Sequence, residues 1–372
     1  MSSDRYQRHS LIDWFSQEDV KAATFAIVGC GAVGNEVAKN LALLGVGNVD
    51  LYDFDTIELH NLTRSVLFRE GDVGSFKAEV AAARIEELDP NINVGFFLGD
   101  FWDEMSLDRA ASYSCIICCV DNFEARIRLN QLCLIAKTNL INTGIDSRFC
   151  QVEVFPFAST TRVACYECNL PNSAYERMQA RYSCGWLKKI SFVEKKIPTT
   201  IITSSLTGAL AVSNALDMTR GVALDESKRI LIDSFSGRST LSSIESSCSC
   251  PACALLVGRV SVLKGGSQIH SSLGFPAGDS DDYVVTSDPV LVSTRCVVCS
   301  PSIDDFDIIF QRASSYDASI NTCVRCGIDS VQVVIKDSFS LHELNHDFYG
   351  MQFPCKFIRM CVNEQTTIIE ME

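Results

Sequence analysis

The chain has 372 residues, 47% of them hydrophobic, enough for two domains with real cores. Its formal charge of −14 argues against a general nucleic-acid or acidic-membrane surface, since both need clustered basic charge. No apolar run reaches bilayer-spanning length and Met1-Ser2-Ser3-Asp4-Arg5 lacks a signal-peptide core, so the expectation is a soluble cytoplasmic protein with no nucleic-acid or membrane partner.

In chain order, an apolar strand from Phe25 to Val28 runs into Gly29-Cys30-Gly31-Ala32-Val33-Gly34, a Gly-x-Gly-x-x-Gly turn. The bare backbone at Gly29 and Gly31 admits a phosphate, and Val33, Val37, Leu41 and Leu44 give the following segment helical spacing, so a helix N-terminus faces the anion. Asp53 ends the next strand, Val49 to Tyr52, where a carboxylate accepts ribose hydroxyls. NAD and ATP both carry that ribose, so the fingerprint alone does not choose between them. Further strands are expected at Val94 to Leu98, Cys115 to Val120 and Asn139 to Asn142, with helices over Glu79 to Leu88 and Glu124 to Ala136. This alternation predicts an α/β fold: a doubly wound, Rossmann-like parallel sheet with its ligand crevice at the strands' carboxyl ends. From Gln151 to Phe157 the pattern becomes period two, an antiparallel extension of the sheet. Residues 169–200 are polar and without clear period, Thr203 to Met218 is helix-like, and 254–295 is linker-like through Gly265-Gly266, Pro276 and Asp279-Ser280-Asp281-Asp282. The remainder, 296–372, reads as a smaller domain with strands at Val331 to Ile335 and Phe357 to Val362.

Eighteen cysteines in an intracellular chain are expected to be reduced, many inside apolar strands, as Cys115, Cys118 and Cys119 are. Eight form four Cys-x-x-Cys pairs. Cys165/Cys168 with Cys250/Cys253, and Cys296/Cys299 with Cys323/Cys326, supply four thiolates each, the donor set of a structural zinc ion. Cys248 could replace one ligand of the first site. For the second, a redox pair or a rhodanese-like sulfur loop around Cys326 is the competing reading.

What separates ATP from NAD is the continuation: Asp53-Phe54-Asp55, Asn61-Leu62-Thr63-Arg64, Lys77, then Asp121-Asn122. A triphosphate needs several cations and a metal carboxylate, whereas a dinucleotide pyrophosphate is largely held by the helix N-terminus. Together with Arg5-Tyr6-Gln7-Arg8, this order and spacing resembles the ThiF and MoeB family of sulfur-carrier adenylyltransferases, related to the ubiquitin-activating enzymes, over residues 4 to 253. The resemblance implies a nucleotide site of Gly29, Gly31, Ala32, Gly34, Asp53, Asp55, Asn61, Arg64, Lys77, Asp121 and Asn122. Within it, Asp53 holds the ribose, Asn61, Arg64 and Lys77 contact phosphates, and Asp121 binds magnesium. It also implies that Arg8 reaches into a neighbouring subunit's site, hence a homodimer, that the first cysteine quartet holds structural zinc, and that residues 169–200 form a crossover loop carrying a cysteine, here Cys184.

The expected reaction is adenylation of the C-terminal carboxylate of a ubiquitin-like or sulfur-carrier protein, with two outcomes open at Cys184. It forms a thioester, its thiol activated by Lys188 and Lys189, or it is a passive thiol. The C-terminal domain favours conjugation and recruitment of a conjugating enzyme. Alternatives are an enzyme acting on a peptide or small carboxylate, and a non-catalytic binding scaffold in which Arg64 and Lys77 are surface charges and Asp121 caps a helix.

Overall fold

The computed structural model describes residues 5–159, 161–171, 173, 198–220, 224–256, 259–263, 282–299, 307–315, 322–348, 351–362 and 365–371. The chain divides into two units; described residues up to Leu170 and from 198 to Cys253 make the first, and those from Ala254 onward belong to the second.

The first unit is built on strands β1 (Thr24–Val28), β2 (Asn48–Tyr52), β3 (Asn93–Phe97), β4 (Cys115–Cys118), β5 (Leu140–Ile145), β6 (Phe149–Phe155), β7 (Lys228–Asp233) and β8 (Ser239–Ser243). They form one eight-stranded sheet in the order β3-β2-β1-β4-β5-β6-β7-β8. The first five run parallel and the last three antiparallel. Its helices are α1 (Gln17–Ala22), α2 (Ala32–Leu44), α3 (Lys77–Leu88), the short α4 (Phe101–Glu104) and α5 (Leu107–Ser112), α6 (Phe123–Ala136), α7 (Ile201–Thr219) and α8 (Pro251–Ala254). The core explains the strand sequences: Phe25, Ile27, Val49, Leu51, Cys115 and Ile117 are buried against Val37 and Leu41 of α2. Burial on both faces is why β1 and β4 read as continuous apolar runs. Helix α2 stops at Gly45, whose φ of 73° is the left-handed conformation that glycine adopts without strain. Helix α7 packs closely on α2, because a Cβ at Gly208 would lie 2.5 Å from Glu36 Cβ. Buried Glu36 answers across the gap by accepting a 2.8 Å hydrogen bond from Ser205 Oγ.

The second unit has a six-stranded sheet of β9 (Arg259–Leu263), β10 (Tyr283–Cys296), β11 (Asp307–Arg312), β12 (Val331–Ser340), β13 (Phe357–Val362) and β14 (Gln365–Glu370). Its order is β11-β10-β13-β14-β9, with β12 also paired to β10. Phe310, Phe339, Phe348 and Phe353 form its aromatic centre, and helix α9 (Leu341–His346) follows β12. Of the stretch expected to be linker-like, 254–295, the described residues contribute β9 and nearly all of the longest strand, β10, while 264–281 lie outside the described residues. The β10 pattern was obscured because three of its inward positions carry Thr286, Asp288 and Thr294 rather than apolar residues, and because Pro289 falls where the register with β12 shifts between Val285 and Val290.

Candidate nucleotide site and cysteine clusters

The parallel strands leave β1 in opposite directions along the sheet, towards β2 on one side and β4 on the other, and ligands of open α/β sheets bind at such a switch point. The Gly29–Gly34 turn sits there. Gly29 has φ 94° and its N–H donates to Tyr52 O at 2.8 Å, tying the turn to the end of β2. A Cβ at Gly29 would lie 2.8 Å from Cys119 O, and one at Gly34 would lie 2.0 Å from Gly29 O, so backbone bars any side chain at either. At Gly31 a Cβ would meet nothing within 4 Å, so the turn is open on that face. Helix α2 begins at Ala32 with no side-chain cap, leaving its first-turn N–H groups available to an anion.

The end of β2 supplies the carboxylates. Asp53 accepts from the Cys30 N–H at 2.6 Å and from the Asp55 N–H at 2.8 Å. Burial raises its pKa, while Lys77 and those two N–H donors pull it back down. Lys77, first residue of α3, places Nζ 2.7 Å from Asp55 Oδ2 and donates its backbone N–H to Asp55 O at 2.9 Å. The glycine turn, Asp53, Asp55 and Lys77 therefore form one constellation.

Asn61 and Arg64 are bound within their own turn. Asn61 Oδ1 accepts from the Glu58 N–H at 2.9 Å, and Arg64 Nη1 donates to His60 O at 2.9 Å. Their stretch is joined to the glycine turn by a residue that sequence reasoning passed over, Asn35. Its Nδ2 donates to Cys30 O at 2.7 Å and Gly31 O at 3.1 Å, and its Oδ1 accepts from the Leu67 N–H at 2.9 Å. The available signal was a polar residue just after the glycine turn, at the start of a helix whose spacing marks it as buried.

Asp121 is exposed between β4 and α6. The helix cap is Asn122, which accepts from the Ala125 N–H at 2.8 Å, so the alternative that made Asp121 the cap is corrected and the Asn122 amide oxygen is engaged in the cap. Arg126, also missed, donates to Val120 O, Thr143 O and Asn142 Oδ1, fixing the backbone just before Asp121. Asn142 in turn donates to buried Glu153 at 2.6 Å, whose carboxylate also accepts from Arg229 Nε at 2.8 Å. Arg8 is exposed ahead of a 3-10 turn, His9–Leu11. Cys184, Lys188 and Lys189 lie outside the described residues.

Both cysteine quartets assemble. The Sγ separations are 3.5 Å for Cys165–Cys250, 3.6 Å for Cys168–Cys253 and Cys253–Cys165, and 3.8 Å for Cys168–Cys165. In the second quartet they are 3.8 Å for Cys296–Cys326 and 4.0 Å for Cys323–Cys299. Four thiolates about 2.3 Å from a tetrahedral zinc stand about 3.8 Å from one another, so both donor sets fit that ion. Cys248 is exposed and belongs to neither quartet. The first knuckle is clasped to α6: Asn130 Oδ1 accepts from the Tyr166 N–H at 3.0 Å, and Asn130 Nδ2 and Gln131 Nε2 donate to Glu167 Oε1 at 3.1 and 3.0 Å.

The ThiF family profile matches residues 5–264. The chain belongs to the ThiF family. Molybdopterin-synthase adenylyltransferase of Haemophilus influenzae is 33% identical over 160 residues, covering 42% of this chain and 66% of that protein. Ubiquitin-like modifier-activating enzyme 5 of Oryza sativa subsp. japonica is 29% identical over 225 residues, 56% of this chain and 50% of its own. The matched stretch is thus between half and two thirds of those relatives' lengths. Among solved structures, E. coli MccB with ATP superimposes with a TM-score of 0.55 at 25% identity, covering 68% of this chain and 75% of MccB. The same ThiF-like fold is found in MccB, named a microcin C7 biosynthetic enzyme, in complex with N-formylated MccA, at TM-score 0.54 and 25% identity. No helix among the described residues is long and apolar enough to cross a membrane.

Proposed function

We propose that this ThiF-family chain is an adenylyltransferase that uses ATP to activate the C-terminal carboxylate of a ubiquitin-like or sulfur-carrier protein. The observation that carries the reading is the joining of the open glycine turn, Asp53 and the Asp55–Lys77 pair at the carboxyl ends of β1 and β2. A carrier carboxylate attacks the α-phosphorus, forming the acyl-phosphate bond as the α–β bridge breaks and pyrophosphate leaves. The attacking group is already ionised, so the chain's task is to hold anions together. In this reading the turn and the start of α2 bind phosphate, Asp53 orients the ribose, Lys77 and Arg64 stabilise charge on the leaving group, and Asn61 positions it. The carboxylate of Asp121, beside the helix-capping Asn122, is the donor suited to magnesium, which when bound would neutralise phosphate charge. Arg8 acts across a homodimer. Each cysteine quartet holds one structural zinc, and residues 296–372 recruit the carrier or a conjugating enzyme. Cys184 accepts the acyl group as a thioester after adenylation, and the reaction takes place in the cytoplasm.

A second reading, adenylation of a peptide, is supported by the likeness to MccB in complex with MccA. ATP–pyrophosphate exchange tests both. Exchange dependent on magnesium and on a carrier with a free C-terminus is expected, nearly abolished in Asp121→Ala. Exchange with a short peptide and none with carriers favours the second reading, and no exchange with either leaves a scaffold. Mixed dimers of Arg8→Ala and Asp121→Ala should recover activity if Arg8 acts in trans. A dithiothreitol-sensitive adduct present in the wild type and lost in Cys184→Ala, with exchange retained, tests the thioester.

A further inference from the structure

Helix α9 of the second unit carries two of the chain's five histidines one turn apart, His342 and His346. The helix is fixed from both sides. At its start Ser340 Oγ accepts from the Glu343 N–H at 3.2 Å while the Ser340 N–H donates to Glu343 Oε2 at 3.0 Å, a reciprocal cap. On its inner face Leu341 and Leu344 are buried, with Phe348 just beyond. The i, i+4 spacing then puts both imidazoles on the outer face, where both residues are exposed, with ring centroids 4.4 Å apart and planes 36° apart. Glu343, between them in sequence, is engaged by Lys336 Nζ and by Ser340, so it neither neutralises nor blocks the pair.

We propose that His342 and His346 form a bidentate binding site for a late first-row divalent metal ion, distinct from the cysteine quartets. A ring nitrogen binds such an ion at about 2.0–2.1 Å, which puts each ring centroid about 3.2 Å from the metal; two rings at a right angle are then about 4.5 Å apart, and two at the tetrahedral angle about 5.2 Å. The observed 4.4 Å is short enough for both rings to reach one ion, and imidazole nitrogen is a ligand suited to nickel and copper. Two nitrogens leave the other coordination positions to water or to a donor from another molecule. The thiolate quartets favour a soft, tetrahedral ion, so the two kinds of site differ in the metal they select. The assignment is independent of the adenylation reading, because α9 is part of the second unit.

The test is calorimetric titration of the full-length, zinc-loaded protein with nickel chloride. One site per chain is expected beyond the zinc, with affinity reduced at least tenfold in His342→Asn and in His346→Asn, and unchanged in His60→Asn. Both substituted positions are exposed, and unchanged circular dichroism with retained zinc content verifies that the variants fold. Absence of the site in the wild type, or wild-type affinity in either helix variant, overturns the proposal.

Discussion

Replacing Asn35 by alanine tests whether the glycine turn and the Asn61–Arg64 stretch are held as one unit. Asn35 is fully buried and makes three hydrogen bonds, two to turn carbonyls and one from the Leu67 N–H. Alanine leaves that N–H without the amide oxygen and Cys30 O without its 2.7 Å donor. A buried polar group stripped of its partner costs about 1–3 kcal/mol, and Gly31 O keeps the Asn35 N–H, so with two groups stripped the expected loss is about 2–6 kcal/mol. Against a typical stability of about 5–15 kcal/mol this is a large fraction. Trp102, fully buried in the first unit, makes urea unfolding readable by its fluorescence. The midpoint should fall with an unchanged slope, and the ATP KM in pyrophosphate exchange should rise more than kcat falls. Asn35→Asp keeps the acceptor for Leu67 but turns a carboxylate towards two carbonyls, so its folded-state pKa is raised. The penalty is therefore absent below the unfolded carboxylate value of about 3.9 and grows as pH rises through it. A loss under about 1 kcal/mol in Asn35→Ala, or an Asp variant insensitive to pH, would refute the linkage.

Lys77→Met should raise the pKa of Asp53 further, because burial already raises it and Lys77 is the strongest opposing influence; the acid limb of ATP binding is expected to move to higher pH, measured by fluorescence titration with a nucleotide analogue. Gly34→Ala should abolish nucleotide binding or the fold of the first unit, since its Cβ would overlap backbone Gly29 O at 2.0 Å; near-normal binding would show that the turn relaxes freely. Elemental analysis should find two zinc ions per chain, retained in Cys248→Ser, while Cys253→Ser loses one together with the folded first unit and Cys326→Ser loses one yet spares exchange.

The part of the molecule legible in the sequence was the part whose chemistry is local. Gly29, Gly31 and Gly34 announce a backbone turn by their spacing, and the apolar runs of β1 and β4 announce burial on both faces. The cysteine pairs were readable because two thiols on one tight turn already define half a metal site. Asn35 and Arg126 were not, because their roles depend on Leu67, Asn142 and Thr143, partners that adjoin them only after the chain has folded. Strand β10 escaped for a related reason: Asp288 is buried facing the Lys356 N–H, 68 positions away, so its inward position carries no apolar mark.

The first cysteine quartet joins Cys165 and Cys168 to thiols 85 positions later in each case. A metal there would act as a clamp that closes α7, β7 and β8 into a ring of chain. Treated as a cross-link, closing about 85 residues restricts the unfolded chain by about 4–5 kcal/mol. A single protease cut anywhere between Leu170 and Ser249 would leave both new ends tethered to the same ion, so a nicked protein should migrate as one species on native gels and separate only when a chelator is added under denaturing conditions. With zinc bound as proposed, the ring could be sealed only after α7, β7 and β8 have been synthesised, which would set the moment in biogenesis at which this unit first depends on metal supply.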